Sequence, residues 1–318
     1  MEIENQGFLS HRVRYWLGCY ALLIIPIGML SVFVYIPVLW AFIGSLYAFE
    51  VGGDSEFLGL TNFIEFLFRD PTTWPSVGNM FFLTGFMVVT RLTMPLIVAK
   101  LIFSLTREPS RYFYRVVFLV PIVVPGVAMQ LIWAGMIYND AGMINEFLRA
   151  AHDWVQLRGI DIDLEGLTRG WLADPRTALF AVAFVGFPWV GGIDVLIYYA
   201  GLSGIPTSVN EAALIEGCTG LRKFFLIDIP MVMSQLKLIM VISLIMGIQM
   251  FEGLFIMTRG GPGFRTMVPA LWMYFNAFSF QRMGYGCAIG VFLFALIFGC
   301  TVLTFRYVRS TEELEGRA

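Results

Sequence analysis

The residues of this sequence best placed to do chemistry are three ionisable side chains set inside long apolar runs: Arg91, Asp194 and Glu252. Charge among apolar residues is costly, so such groups face a cavity, a water path or an opposite charge. Read as helices, Phe187, Gly191, Asp194 and Tyr198 share one face at offsets of four, three and four. Ile245, Gln249 and Glu252 share another, and Ser243 and Met250 form an adjoining stripe. Two readings stand. Either Arg91 pairs with one acid and ties two helices together, or the acids line a passage for a polar solute. Lys100 and Lys237 lie near the ends of their runs and are set aside.

Familiar catalytic arrangements are absent. His11 and His152 lie far apart, whereas zinc sites need about three or four clustered ligands. Cys19, Cys218, Cys287 and Cys300 form no C-x-x-C pair and read as small apolar residues packed in helices. There is no GxxxxGK[ST], no G-x-S-x-G and no H-E-x-x-H. The chain is therefore expected to be no enzyme and to bind no metal or cofactor itself. Its 318 residues are 58% apolar and 14% charged, with a mean hydropathy of +0.75. Soluble domains carry about 25% charged residues, so an ordinary soluble enzyme and a disordered chain are excluded. With 21 basic against 23 acidic residues, nothing remains to neutralise phosphates, and nucleic acid is not an expected partner.

The elements that must hold the three ionisable residues are membrane helices, with lipid as their solvent. A hydrocarbon core takes about 20 helical residues. Six runs meet that requirement, at about 15–49, 77–104, 116–138, 177–202, 236–257 and 283–305. The first contains Pro26 and Pro37, is too long for a signal-peptide core, and is expected to be retained. A further run, Thr266–Gln281, is short, follows a Gly-Gly-Pro-Gly turn, and reads as interfacial or re-entrant. The runs are continuous rather than alternating, which excludes a membrane β-barrel. The expected fold is all-α: one six-helix membrane domain over 15–305 between tails 1–14 and 306–318. Gly286 and Gly290 in the last span have a spacing that lets helices approach closely.

Lys and Arg in short loops mark the cytoplasmic side. Arg12 and Arg14, then Arg107, Arg111 and Arg115, then Arg222 and Lys223, then Arg306, Arg309 and Arg317 all fall on one side of a six-span chain. The first loop opposite holds Glu50, Asp54, Glu56, Glu65 and Asp70 against Arg69. Arg259, Arg265 and Arg282 weaken the pattern without reversing it. Both termini are expected in the cytoplasm.

The cytoplasmic segment 203–235 carries helix signals of its own. Pro206-Thr207-Ser208 offers an N-cap, with Glu211 at the capping-box spacing from Ser208. A helix is expected over Val209–Glu216, ended by Gly217. A second is expected over about Leu221–Ile229, stopping at or before Pro230. Two short helices at an angle make either a rigid knuckle for docking a protein or an amphipathic pair lying on the bilayer.

At this segment the sequence resembles the "EAA" motif of permease subunits in binding-protein-dependent ABC importers. Glu211-Ala212-Ala213, then Gly217, Phe224, Ile227 and Pro230 carry the match; Glu216 and Cys218 stand where the family usually has Asp and Ala. Leu58-Gly59-Leu60-Thr61-Asn62-Phe63 resembles the G-L-x-N-[FY] element of maltose-type sugar permeases. Arg115, Phe118 and Pro121 followed by Trp133, and Ala200-Gly201-Leu202 with Ile205-Pro206, are similar to further family elements. So is Thr258 with Gly260, Gly261, Pro262 and Thr266, the pattern of an outer loop.

The resemblance implies a type I ABC importer permease in the bacterial cytoplasmic membrane. It would pair with a second, homologous permease, sit on two ATPase subunits that hold ATP and magnesium, and receive a carbohydrate from an extracytoplasmic solute-binding protein. Glu211, Ala212, Ala213, Glu216, Gly217 and Pro230 would belong to the coupling segment. The two spans flanking it would line the sugar path, with Phe187, Trp189 and Tyr198 stacking on sugar rings. Asp194, Gln249 and Glu252 would accept or share sugar hydroxyls. A self-sufficient secondary transporter is the alternative, though no inverted repeat is visible.

Overall fold

The computed structural model describes residues 4–49, 55–159, 163 and 165–308. The outer-loop acids Glu50 and Asp54 and the tail arginines Arg309 and Arg317 lie outside the described residues. The fold is mostly helical, as expected. The described sheet is one two-residue hairpin, with Tyr47 opposite Phe57 and Ala48 opposite Glu56. The chain divides into two compact units, Met1–Phe68 with Phe275–Val291, and Arg69–Tyr274 with Phe292–Ala318.

In the first unit, the helical stretch Tyr15–Gly44 presents its apolar side chains outward. A π turn at Ser31–Tyr35 precedes Pro37, whose missing N–H breaks the regular ladder. Beyond Gly44 the chain folds back, and Asn62 explains the G-L-x-N-F element. Its buried Nδ2 donates to the carbonyls of Ser45 (2.9 Å) and Tyr47 (3.1 Å). Gly59, at φ +58°, makes the turn that delivers it. Arg282 Nη2 lies 2.6 Å from Glu65 Oε1, and Gly286 packs on Ala277, the close approach its spacing suggests.

The second unit is organised around the Thr73–Phe103 helix, which packs against Met233–Ile248 and Gly192–Ser203. Their shared core holds Leu96, Ala99, Ile102, Val195, Tyr198, Leu202 and Ile239. Close packing here needs small residues: a Cβ on Gly192 would strike the Phe118 carbonyl, and one on Gly247 would strike Thr84.

Among the described residues, four helical stretches are long and apolar enough to cross a membrane: Tyr15–Gly44, Thr73–Phe103, Met233–Met257 and Met283–Tyr307. The expected third span is instead a pair, Glu108–Val123 and Gly126–Ile137, bent by 83°. Val124, held extended by the following Pro125, makes the bend. The expected span at 177–202 is not one helix either. Ala178–Phe184 and Gly192–Ser203 are separated by a turn with Gly186 and Trp189 at positive φ. The fifth pauses at Gln249–Phe251 before resuming as Glu252–Met257. The 266–281 run forms a short helix, Pro269–Tyr274, continued by a π turn at Phe275–Ser279. The loop at 139–176, unassigned from sequence, holds an amphipathic helix, Met143–Leu157. It is pinned by buried Asn145, which bonds the carbonyls of Asn139, Asp140 and Arg169.

Candidate functional site

The second unit contains an open cavity of about 570 Å³. The Thr73–Phe103 helix contributes Phe86, Thr90 and Arg91, and the bent pair contributes Pro121 and Gln130. The break between Phe184 and Gly192 brings in Trp189, and the next two helices bring in Asp194, Met246, Met250 and Leu254. Breaks in helices make such a site. Backbone that leaves the helical ladder turns side chains inward, which a membrane protein tolerates only where protein or water covers it.

Arg91 and Asp194 face each other in its wall. Arg91 Nε donates to Asp194 Oδ2 at 2.7 Å and Nη2 donates to Oδ1 at 2.8 Å. Arg91 Nη1 lies 3.2 Å from Met246 Sδ. Asp194 is only 2% exposed, so the guanidinium is what makes its burial as a charge possible. Phe86 meets Trp189 edge-on with ring centroids 5.2 Å apart, and Phe184 meets Trp189 at 5.1 Å. The Gln130 amide oxygen and the Trp189 indole N–H are buried without a hydrogen-bond partner.

The structure sorts the expected path residues. Trp189, Asp194 and Met250 line the cavity. Phe187 does not and is largely exposed; it precedes the helix start at Gly192, so it shares no helical face with Asp194. Tyr198 is buried in the core, its hydroxyl 3.4 Å from the Leu92 carbonyl. Ser243 is also buried, donating to the Ile239 carbonyl at 2.6 Å. Gln249 and Glu252 are exposed and outside the cavity wall. The helix stops at Ile248 and Glu252 opens the next one, so their expected common face does not form. Sequence reasoning missed Phe86, Gln130 and Met246, whose types carry no signal until the breaks bring them together.

The knuckle follows directly. Its first helix is Thr207–Ile215, starting two residues before the expected Val209. Pro206 occupies the N-cap and no side chain caps the helix, so the Ser208–Glu211 capping box does not form. The end is as expected. Gly217 adopts φ +68°, with Gly217 N–H to Leu214 O (3.1 Å) and Cys218 N–H to Ala213 O (2.8 Å). This 5→2, 6→1 pair is a Schellman end. Ala213 is 3% exposed, whereas Leu214 and Ile215 point outward, Ile215 at 88%. Pro230 does not stop the second helix: Gly220–Lys223 runs into a π turn at Phe224–Asp228 and on through Ile229–Met231. The π turn absorbs the register change that Pro230 forces.

One contact escaped the sequence reading. Lys100, set aside as a span-end residue, pairs with Asp228, which is buried in the knuckle's second helix. Lys100 also lies 5.6 Å over the Phe103 ring. The acid in the otherwise apolar Phe224–Met231 stretch was the available signal. In the 258–266 loop, Thr258 and Thr266 hydroxyls meet at 2.7 Å and Thr266 Oγ1 donates to Gly261 O at 2.7 Å, closing the turn that holds Gly260, Gly261 and Pro262. Among the described residues no cluster of His, Cys, Asp or Glu could hold a metal.

The chain is thus an apolar helical protein with a largely apolar cavity walled in part by an ion pair and with an exposed knuckle, and its likenesses are to ABC transporter permeases. The chain is 28% identical over 294 residues to the probable ABC transporter permease protein YurN of Bacillus subtilis, covering 92% of this chain and 96% of that one. It is 25% identical to the multiple sugar-binding transport system permease protein MsmF of Streptococcus mutans, covering 94% and 97%. Its fold matches a chain of a bacterial alginate ABC transporter with a TM-score of 0.75 at 17% identity, covering 93% and 94%. It matches no protein-family model. The resemblance read from the motifs is thus borne out: the relatives are ABC transporter permeases, and several, MsmF among them, are named for sugar transport.

Proposed function

We propose that this chain is the membrane-spanning permease subunit of an ATP-driven importer and forms half of a translocation path for a carbohydrate delivered by a solute-binding protein. The observation that carries the reading is the full-length likeness to sugar permeases, 94% of this chain against 97% of the Streptococcus protein. The cavity agrees with it. Aromatic faces at Phe86 and Trp189 suit sugar rings. An orphan donor on Trp189 and an orphan acceptor on Gln130 suit a ligand whose hydroxyls do both.

In this reading the chain crosses the membrane six times, the bent pair and the broken 177–202 segment each counting as one crossing, with both termini in the cytoplasm. The Thr207–Ile215 helix seats in one of two partner ATPases, which bind ATP and magnesium. A second permease subunit completes the path. Leu214, Ile215 and Leu221, apolar and exposed, give the knuckle its docking surface.

The test is purification of the tagged chain from membranes with its co-assembled subunits, followed by oligosaccharide uptake into proteoliposomes. Uptake is expected only with ATP, the ATPases and the binding protein. Uptake by the isolated chain without ATP would instead support a secondary transporter.

A further inference from the structure

This inference rests on the carbohydrate-permease reading and narrows its substrate class. Among the described residues lining the cavity, Arg91 is the one cation and Asp194 the one anion. Their fork-to-fork contact, 2.7 and 2.8 Å, uses both carboxylate oxygens and two guanidinium nitrogens. A solute carboxylate, sulfonate or phosphate that draws Arg91 Nε and Nη2 away strands the buried Asp194 charge, and one that reaches only Nη1 meets a pair with no net charge to offer it. A cationic solute that takes Asp194 strands Arg91. Either exchange leaves an uncompensated charge in a low-dielectric wall, the costly outcome for a buried pair. The remaining wall is apolar or aromatic, with Thr90 and Gln130 as its neutral polar side chains apart from the Trp189 N–H.

We propose that the Arg91–Asp194 pair holds the cavity at zero net charge and restricts it to uncharged polyhydroxylated solutes, excluding uronates and sulfonated or phosphorylated sugars. Arg91, which by itself suggests an anionic substrate, is committed to Asp194.

The test reads the charge of the cavity directly in the assembled transporter. Met250→Cys, a cavity-lining position, is made with Cys19, Cys218, Cys287 and Cys300 replaced by serine. The introduced thiol is treated with sulfonatoethyl (anionic), trimethylammonioethyl (cationic) and hydroxyethyl (neutral) methanethiosulfonates. Each rate is divided by that reagent's rate on a free thiol. The three normalised rates are expected to agree. Adding Asp194→Asn should raise the anionic-to-cationic ratio about tenfold, because a charged cleft concentrates counter-ions. Arg91→Gln should shift it comparably the other way. The double variant, lacking the ion pair but neutral, should return to the starting ratio, which a purely structural role does not require. A starting ratio already displaced tenfold towards the anion, an unchanged ratio in Asp194→Asn, or no modification by any reagent overturns the proposal. The readout needs no transport, so loss of the ATP-driven reading would show in the uptake assay and not here.

Discussion

The buried Asp194 carboxylate has one partner, Arg91, and that sets what its replacement does. Asp194→Ala leaves Arg91 half-buried against Met246 with no carboxylate to answer it. Removing one partner of a buried pair costs about 3–5 kcal/mol, and Arg91's 21% side-chain exposure puts this case at the lower end. The purified complex should melt several degrees lower and lose uptake. Asp194→Asn keeps hydrogen-bonding atoms in place and should melt closer to the parent. Glu252→Ala provides the contrast. Its side chain is exposed at the start of the Glu252–Met257 helix, outside the cavity. Its interaction with the helix N-terminus is worth about 0.3–1 kcal/mol. Thermal melting and uptake should both stay near the parent. Equal losses in the two alanine variants would mean the cavity is not the path.

The Thr73–Phe103 helix carries two ionic clamps nine residues apart, about 14 Å along its axis at 1.5 Å per residue. Arg91 grips the Gly192–Ser203 helix, and Lys100 grips Asp228 in the knuckle. A stiff helix joining cavity to knuckle is suited to carrying motion between them. Asp228→Ala should therefore lower uptake several-fold while ATP hydrolysis by the complex continues, and Lys100→Asp combined with Asp228→Lys should recover part of it. Parallel loss of assembly and hydrolysis would reduce the pair to a packing feature. Gly217→Val tests the knuckle's other end: a β-branched side chain at φ +68° costs about 1–2 kcal/mol, and coupling should weaken. These elements differ in how far the sequence revealed them. The Gly217 end was legible because a helix end is a local event. The first, second and last long helices were legible because long apolar runs have one solution in lipid. The breaks at Val124, at Gly186–Gly191 and at Gln249–Phe251 were not, because apolar length says nothing about where a ladder stops. The cavity was missed for the same reason: Gln130 and Met246 become wall residues only through those breaks, and assuming continuous helices put Phe187 on one face with Asp194 and Glu252 on one face with Gln249, where neither stands.

For the whole chain, the proposed function stands or falls on which side of the membrane the knuckle lies, and that depends on how many times the chain crosses before residue 207. If the bent pair Glu108–Ile137 and the broken stretch from Ala178 to Ser203 each cross once, the knuckle shares a side with the N-terminus and with Arg107, Arg111 and Arg115. If either turns back, the knuckle and the Met143–Leu157 helix fall on the same side or exchange sides. Two single cysteines separate these cases. Ile215→Cys lies at the exposed tip of the knuckle and Phe147→Cys on the exposed face of the loop helix. In intact cells a membrane-impermeant maleimide should label the loop position and spare the knuckle; in inside-out vesicles the pattern should reverse. The Ile215 thiol is also the position from which a cross-link should reach an ATPase, since Ala213, at the centre of the motif, is buried beneath it. Labelling of the knuckle from outside would leave no surface on which a cytoplasmic ATPase could act, and the importer assignment would fail with it.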